Sequence, residues 1–168
     1  MTASDRILDL AIIGSGIAGL AAAHAARDTG LTCMILDKGR RVGGRVSTKR
    51  AGGFTFNHGA QFLTARAPAF VSAAEKAIAH AALARWHVAG RDALAGQPTM
   101  RDFPDFLQQG LAVRQQTEIA TIRHDSDSIC LVDQDGETVS ARQVIVTAPA
   151  PQAARLLQTA APDLAALA

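Results

Sequence analysis

Residues Gly14-Ser15-Gly16-Ile17-Ala18-Gly19 set three glycines at G-x-G-x-x-G spacing between an apolar run, Asp9-Leu10-Ala11-Ile12-Ile13, and an alanine-rich stretch from Ile17 to Thr29. This context constrains the fold more than any other feature, because the spacing suits a strand that turns sharply into a helix. Gly14 permits the turn, Gly16 lets the backbone approach a pyrophosphate without an intervening Cβ, and Gly19 lets the helix pack close to the sheet. The first helical amides, from Ile17 and Ala18 onward, lack internal partners and carry the positive end of the helix dipole. They neutralise a diphosphate without any lysine. Gly30 is placed to end the helix.

The next run, Leu31-Thr32-Cys33-Met34-Ile35-Leu36, is nearly continuous in apolar residues, as a parallel strand covered on both faces requires, and it ends at Asp37. An acid roughly twenty residues beyond the glycine turn accepts hydrogen bonds from an adenosine ribose, and its charge repels the extra phosphate of NADP. FAD or NAD is therefore favoured over NADP. The plainer alternative is that Asp37 closes a strand and solvates a turn.

Residues 38 to 50 hold Lys38, Arg40, Arg41, Arg45, Lys49 and Arg50, six of the 17 Lys and Arg in the chain. Such a run also suits nucleic acid or a localisation signal. Gly39, Gly43 and Gly44 interrupt it where close backbone approach is useful, and it directly follows the ribose-binding strand. That placement favours a cofactor role, with guanidinium groups making bidentate phosphate contacts. Lys49 and Arg50 read as solvated charges.

The order GSGIAGL, then ILDKGRRVGGRVSTKR, then FNHGAQFLTAR resembles the flavin-containing amine oxidase superfamily, and within it the renalase-like branch. The resemblance implies FAD as cofactor, with the element Arg41 to Arg45 along its pyrophosphate and flavin. It further implies Lys38, Arg41, Gly43, Gly44, Arg45, Gly59, Ala60, Gln61 and Phe62 as cofactor neighbours, together with the main chain at Ile119, Thr147 and Ala148. Backbone amides at Gly59 and Ala60 suit flavin heteroatoms, and Gln61 both donates and accepts. His58 is either a residue that stabilises charge on reduced flavin or a structural histidine at a strand end. Ile119 is equally compatible with a simple core position.

The predicted fold is α/β: a Rossmann-type FAD-binding domain with a parallel sheet and a β-meander, plus the start of a substrate-covering insertion. Residues 1–66 form the FAD-binding βαβ core, 67–110 a helical insertion that begins a substrate domain, and 111–168 the return to the FAD-binding domain. In the insertion, Phe70, Val71, Ala74, Ile78 and Ala82 recur at helical separations between Pro68 and about Leu83. Residues Arg85 to Arg91 have strand or turn character, Gly96-Gln97-Pro98 marks a loop, and a short helix spans Phe103 to Gln109. Trp86 reads as a packing residue rather than a substrate stacker. Short β-type runs at Ala112–Gln115, Glu118–Arg123, Ser128–Val132 and Glu137–Ser140 suggest the meander, and a separate buried strand covers Gln143 to Thr147.

Two cysteines outside any CxxC pair, Cys33 and Cys130, point to free thiols in a reducing, cytoplasmic setting. The five histidines, His24, His58, His80, His87 and His124, lack ligand-like spacing, so no metal is expected. Net charge is only +2, so no nucleic-acid partner is expected. No run approaches about eighteen apolar residues, so no membrane partner is expected, and Met1 to Asp9 is too charged for a signal peptide.

The predicted function is hydride transfer from a small reduced substrate to flavin, with O2 or another acceptor; the resemblance extends the donor to a nicotinamide dinucleotide isomer. No side chain is assigned as catalytic, as expected where the cofactor carries the chemistry. The chain has no Tyr, so two tyrosines cannot form an amine-substrate cage. The superfamily's later glycine-acid segment has no match before Ala168, so the chain reads as the front portion of a typical member. The alternative is a non-catalytic dinucleotide-binding fragment or degenerate relative. Oligomeric state is not legible.

Overall fold

A computed structural model describes residues 7–167; Ala168 and the first six residues of the segment read as no signal peptide lie outside the described residues. Along the chain the elements are β1 (Leu8–Ile13), α1 (Ile17–Asp28), β2 (Cys33–Leu36), β3 (Thr48–Ala51), β4 (Phe54–Asn57) and α2 (Pro68–Ala79). They continue with β5 (Leu83–Val88), β6 (Arg91–Gly96), α3 (Asp102–Leu107), β7 (Val113–Arg114), β8 (Ile119–His124) and β9 (Ile129–Asp133). The last are β10 (Thr138–Val146), α4 (Ala150–Ala160) and α5 (Pro162–Ala165). Two compact units result, residues up to 42 with 110 onward, and 43–109.

In the first unit, six strands form one sheet in the order β7-β2-β1-β10-β9-β8. β1 runs parallel to both β2 and β10, β7 is parallel to β2, and β8-β9-β10 are antiparallel. This is a mixed α/β, Rossmann-like architecture with a mostly parallel centre and a meander on one side. Apolar continuity in β1 and β2 reflects burial on both faces: Ala11, Ile12, Ile35 and Leu36 are wholly inaccessible. Helix α1 packs on β1 and β2 and buries Leu20, Ala23 and Ala26. Burying Leu20 alone stabilises by about 2 kcal/mol. Leu156, Leu157 and Ala160 of α4 pack against a cluster of Ala11, Ile13, Leu36, Ile119, Ile122, Leu131 and Ala141.

Several local expectations change here. The runs 137–140 and 143–147 are parts of one strand, β10. Its first half pairs antiparallel with β9 and its second half parallel with β1, and Arg142 and Gln143 are exposed near that change of partner. Exposure explains why polar residues break the apolar pattern inside a continuous strand. The run 112–115 contributes β7 at the opposite edge, beside β2, and lies outside the meander. The strand predicted from Leu31 begins at Cys33, because the Thr32 amide and hydroxyl both donate to Asp9 Oδ2, at 2.9 and 2.6 Å.

In the second unit, β3 and β4 form a hairpin around Gly52 and Gly53, whose φ values of 57° and 78° suit a tight two-residue turn. Helix α2 stops at Ala79 rather than near Leu83, since Ala81 adopts φ 55° and Leu83 turns into β5. β5 and β6 pair along their whole length as a second hairpin, so residues beyond Arg91 are strand as well. Ala74, Ala77, Leu83, Met100 and Phe103 supply the buried interior of this unit, with Phe70 edge-on to Phe103 at 6.1 Å between centroids.

Candidate cofactor site

The glycine turn of the first unit is held from three directions. Gly14 N–H donates to the Leu36 carbonyl at 2.9 Å. The Ser15 amide donates to Asp37 Oδ2 at 2.6 Å, and the Gly39 amide donates to Oδ1 of the same carboxylate, also at 2.6 Å. Thr147, just beyond β10, donates its amide to the Ile13 carbonyl at 2.9 Å, and its hydroxyl lies 3.0 and 3.1 Å from the carbonyl oxygens of Ile13 and Gly14. A Cβ at Gly19 would collide with the Gly14 carbonyl oxygen, so only glycine lets α1 start this close to the turn.

Gly16 behaves oppositely. A Cβ there would meet no atom of the described residues within 4 Å. Among the described residues no side chain caps α1 and no acid lies in its first turn. An anionic group is the natural partner for such a helix start. Asp37 is half-buried and uses one bond on each oxygen, which leaves lone pairs for two further donors such as ribose hydroxyls. Asp37 thus closes the turn and retains acceptor capacity.

The remaining predicted positions of this unit are close to that turn or in the core. Lys38 lies 3.8 Å from Glu118 Oε1 as an exposed pair, and Arg41 is exposed. Ile119 is 6% exposed and belongs to the apolar cluster, so its side chain is a core side chain. Ala148 is half-buried beside Thr147. Ser15 is the residue sequence reasoning did not single out: it is fully buried, and its hydroxyl has no hydrogen-bond partner among the described residues.

In the second unit the structure brings two predicted segments together. The Ala60 amide donates to the Arg45 carbonyl at 3.0 Å, the Gly59 amide to the Ser47 carbonyl at 3.4 Å, and a Cβ at Gly59 would clash with the Arg45 carbonyl oxygen. An open groove results, lined by Gly44, Arg45, Ser47, His58, Gly59 and Ala60. Gly43, buried, opens the turn by accepting the Val46 amide at 2.9 Å, while Arg45, Gln61 and Phe62 are exposed. Asn57, also not singled out from sequence, fastens the hairpin: its Oδ1 accepts from Thr48 Oγ1 at 2.9 Å and from the Met100 amide at 3.1 Å. A short polar side chain beside two apolar residues in β4 was its only sequence signal.

Among the described residues no group of three or more His, Cys, Asp or Glu could hold a metal ion, and no helix is long and apolar enough to cross a membrane.

Residues 12–74 match the NAD(P)-binding Rossmann-like domain family, and residues 69–167 match the flavin-containing amine oxidoreductase family. The chain belongs to the flavin-containing amine oxidoreductase family, whose cofactor is FAD. It is 42% identical over 53 residues to a Drosophila melanogaster protein named "Possible lysine-specific histone demethylase 1", covering 32% of this chain and 6% of that protein. It is 42% identical over 52 residues to polyamine oxidase 3 of Oryza sativa subsp. japonica, covering 31% and 11%. A putrescine oxidase variant from a redesign of cofactor binding superposes with a TM-score of 0.71 at 14% identity, over 89% of this chain and 59% of that one. At that identity the likeness concerns the fold, and the chain spans about three fifths of that structural relative and a small fraction of the curated proteins it matches.

Proposed function

We propose that this chain supplies the phosphate-binding portion of an FAD-dependent oxidoreductase of the renalase-like branch. The carrying observation is the turn at Gly14 to Gly19, where Asp37 fixes the Ser15 amide and the space above Gly16 stays clear of protein. The amides of Gly16, Ile17, Ala18 and Gly19 take the diphosphate, and Asp37 takes the adenosine ribose and disfavours a 2′-phosphate. Thr147 and Ala148 hold the turn in place, Lys38 and Ile119 border the adenosine end, and Arg41 and Gly43 follow the phosphates. Gly44, Arg45, Gly59, Ala60, Gln61 and Phe62 are assigned to the flavin. The exposed guanidinium of Arg45 suits bidentate phosphate contact.

When bound, FAD supplies two-electron chemistry, accepting a hydride from a small reduced substrate and passing the electrons to O2 or another acceptor. The protein binds, orients and tunes it. The proposed donor is a reduced nicotinamide dinucleotide isomer. This chain supplies no tyrosine to an amine cage, and the family name makes an amine the competing donor. A non-catalytic relative is not favoured, because the family match continues through residues 69–167 beyond the glycine turn. The half-buried free thiols Cys33 and Cys130 support a reducing, cytoplasmic setting. The pairing of Lys38 with Glu118 supports reading the basic run as local structure and cofactor contact rather than nucleic-acid binding.

Anaerobic mixing of the FAD-loaded protein with reduced nicotinamide dinucleotides and, separately, with putrescine tests the donor. Bleaching of the visible flavin band by the dinucleotide supports the proposal. Bleaching by the diamine alone overturns it.

A further inference from the structure

Trp86 and Phe62 form an aromatic corner in the second unit. Their ring centroids lie 6.1 Å apart at an interplanar angle of 70°, and the residues remain 43% and 39% exposed. Trp86 thus packs against Phe62 and is at the same time an exposed aromatic residue. Phe62 is fixed in position by its neighbour, since Leu63 and Leu94 exchange both backbone hydrogen bonds at 2.9 Å. Trp86 is fixed by the full β5–β6 pairing, in which it faces Ala93.

Position gives this corner its meaning. Phe62 follows Ala60, which lines the groove, by two residues, a chain span of at most about 7 Å. Exposed, rigidly mounted aromatic faces beside a groove are suited to a planar ring, since stacking leaves hydrogen-bonding edges free and tolerates several ring types. An aliphatic diamine offers no such surface. We infer that Trp86, backed by Phe62, is a substrate-specificity residue that stacks a planar base of a dinucleotide substrate. This inference rests on the proposed flavin site and extends it from the cofactor to the donor. Trp86 makes no bond in the reaction; it orients the donor by stacking on its base.

Trp86 is the sole tryptophan and the chain has no tyrosine, so indole fluorescence reports this position alone. FAD-loaded protein is titrated with oxidised NAD and, in parallel, with putrescine. Saturable quenching by NAD and none by putrescine is expected. Trp86→Ala should then raise the KM for a reduced nicotinamide dinucleotide at least about fivefold, and Trp86→Phe should recover most of that loss. The flavin spectrum of both variants should stay unchanged. Absent or non-saturating quenching by NAD, quenching by both ligands alike, or an unaltered KM in Trp86→Ala overturns the inference. A protein that retains flavin in any of these cases leaves the cofactor reading standing, whereas loss of flavin from the unsubstituted protein removes that reading first.

Discussion

The Ser15 amide donates to Asp37 Oδ2 at 2.6 Å, so the carboxylate that ends β2 also fixes the turn that starts α1. One side chain thereby couples the glycine turn to the end of β2, across the whole length of α1. Asp37→Ala removes the acceptor for both Ser15 and Gly39 and should destabilise the protein by about 2 kcal/mol while weakening FAD retention. Asp37→Asn keeps one carbonyl acceptor and should fall between. Denaturant unfolding and FAD titration of both variants check the order, and equal stability of all three proteins would contradict it.

Gly16 and Gly19 separate cofactor binding from folding. Gly16 has φ −68° and open space around its missing Cβ, so Gly16→Ala should leave stability within about 0.5 kcal/mol. It should reduce FAD affinity on the order of tenfold, about 1.4 kcal/mol, by filling the approach of the diphosphate. Gly19→Ala drives a methyl group against the Gly14 carbonyl and should cost about 3 kcal/mol of stability. Melting curves with and without FAD distinguish the two. Matching behaviour of the variants would contradict this division.

Much of the first unit was legible because its constraints are local. Glycine spacing, flanking apolar runs and an acid at strand end report directly on β1, α1 and β2, whereas the Ser15 and Gly39 amides that bond Asp37 come together only in the fold. The hairpin β3–β4 was not read from the sequence: Gly52-Gly53 marks its turn, but the basic residues Lys49 and Arg50 obscure the strand alternation before it. β10 was harder: it changes partner along its length, and Arg142 and Gln143 look like a break until the pairing is known. The groove in the second unit depends on contact between Arg45 and the 59–60 segment, a tertiary relation that no local period encodes.

Among the described residues the buried Ser15 hydroxyl has no hydrogen-bond partner. Ser15→Ala removes an unsatisfied polar group while retaining the amide that binds Asp37, so stability should rise by up to about 1 kcal/mol. Chemical denaturation measures it. A loss of that size instead would show that the hydroxyl is bonded in solution.

Burial pushes the Cys33 thiol above its ordinary value. The folded chain thus holds this proton more tightly than the unfolded chain, and its contribution to stability falls as pH rises past the ordinary thiol value toward the raised one. Cys33→Ala should flatten that part of the stability profile. Iodoacetamide should also modify native Cys33 more slowly than the unfolded thiol at mildly alkaline pH. Equal rates would contradict the assigned environment.

FAD retention depends on the glycine turn and on Arg45 together. The purified protein is saturated with FAD, freed of unbound cofactor by gel filtration, and its visible absorption is compared with that of Arg45→Ala. A flavin band near one FAD per chain is predicted for the unsubstituted protein, with a clearly lower band for the variant. No retained band in the unsubstituted protein, or undiminished retention in Arg45→Ala, would contradict the account at the glycine turn and at the groove respectively.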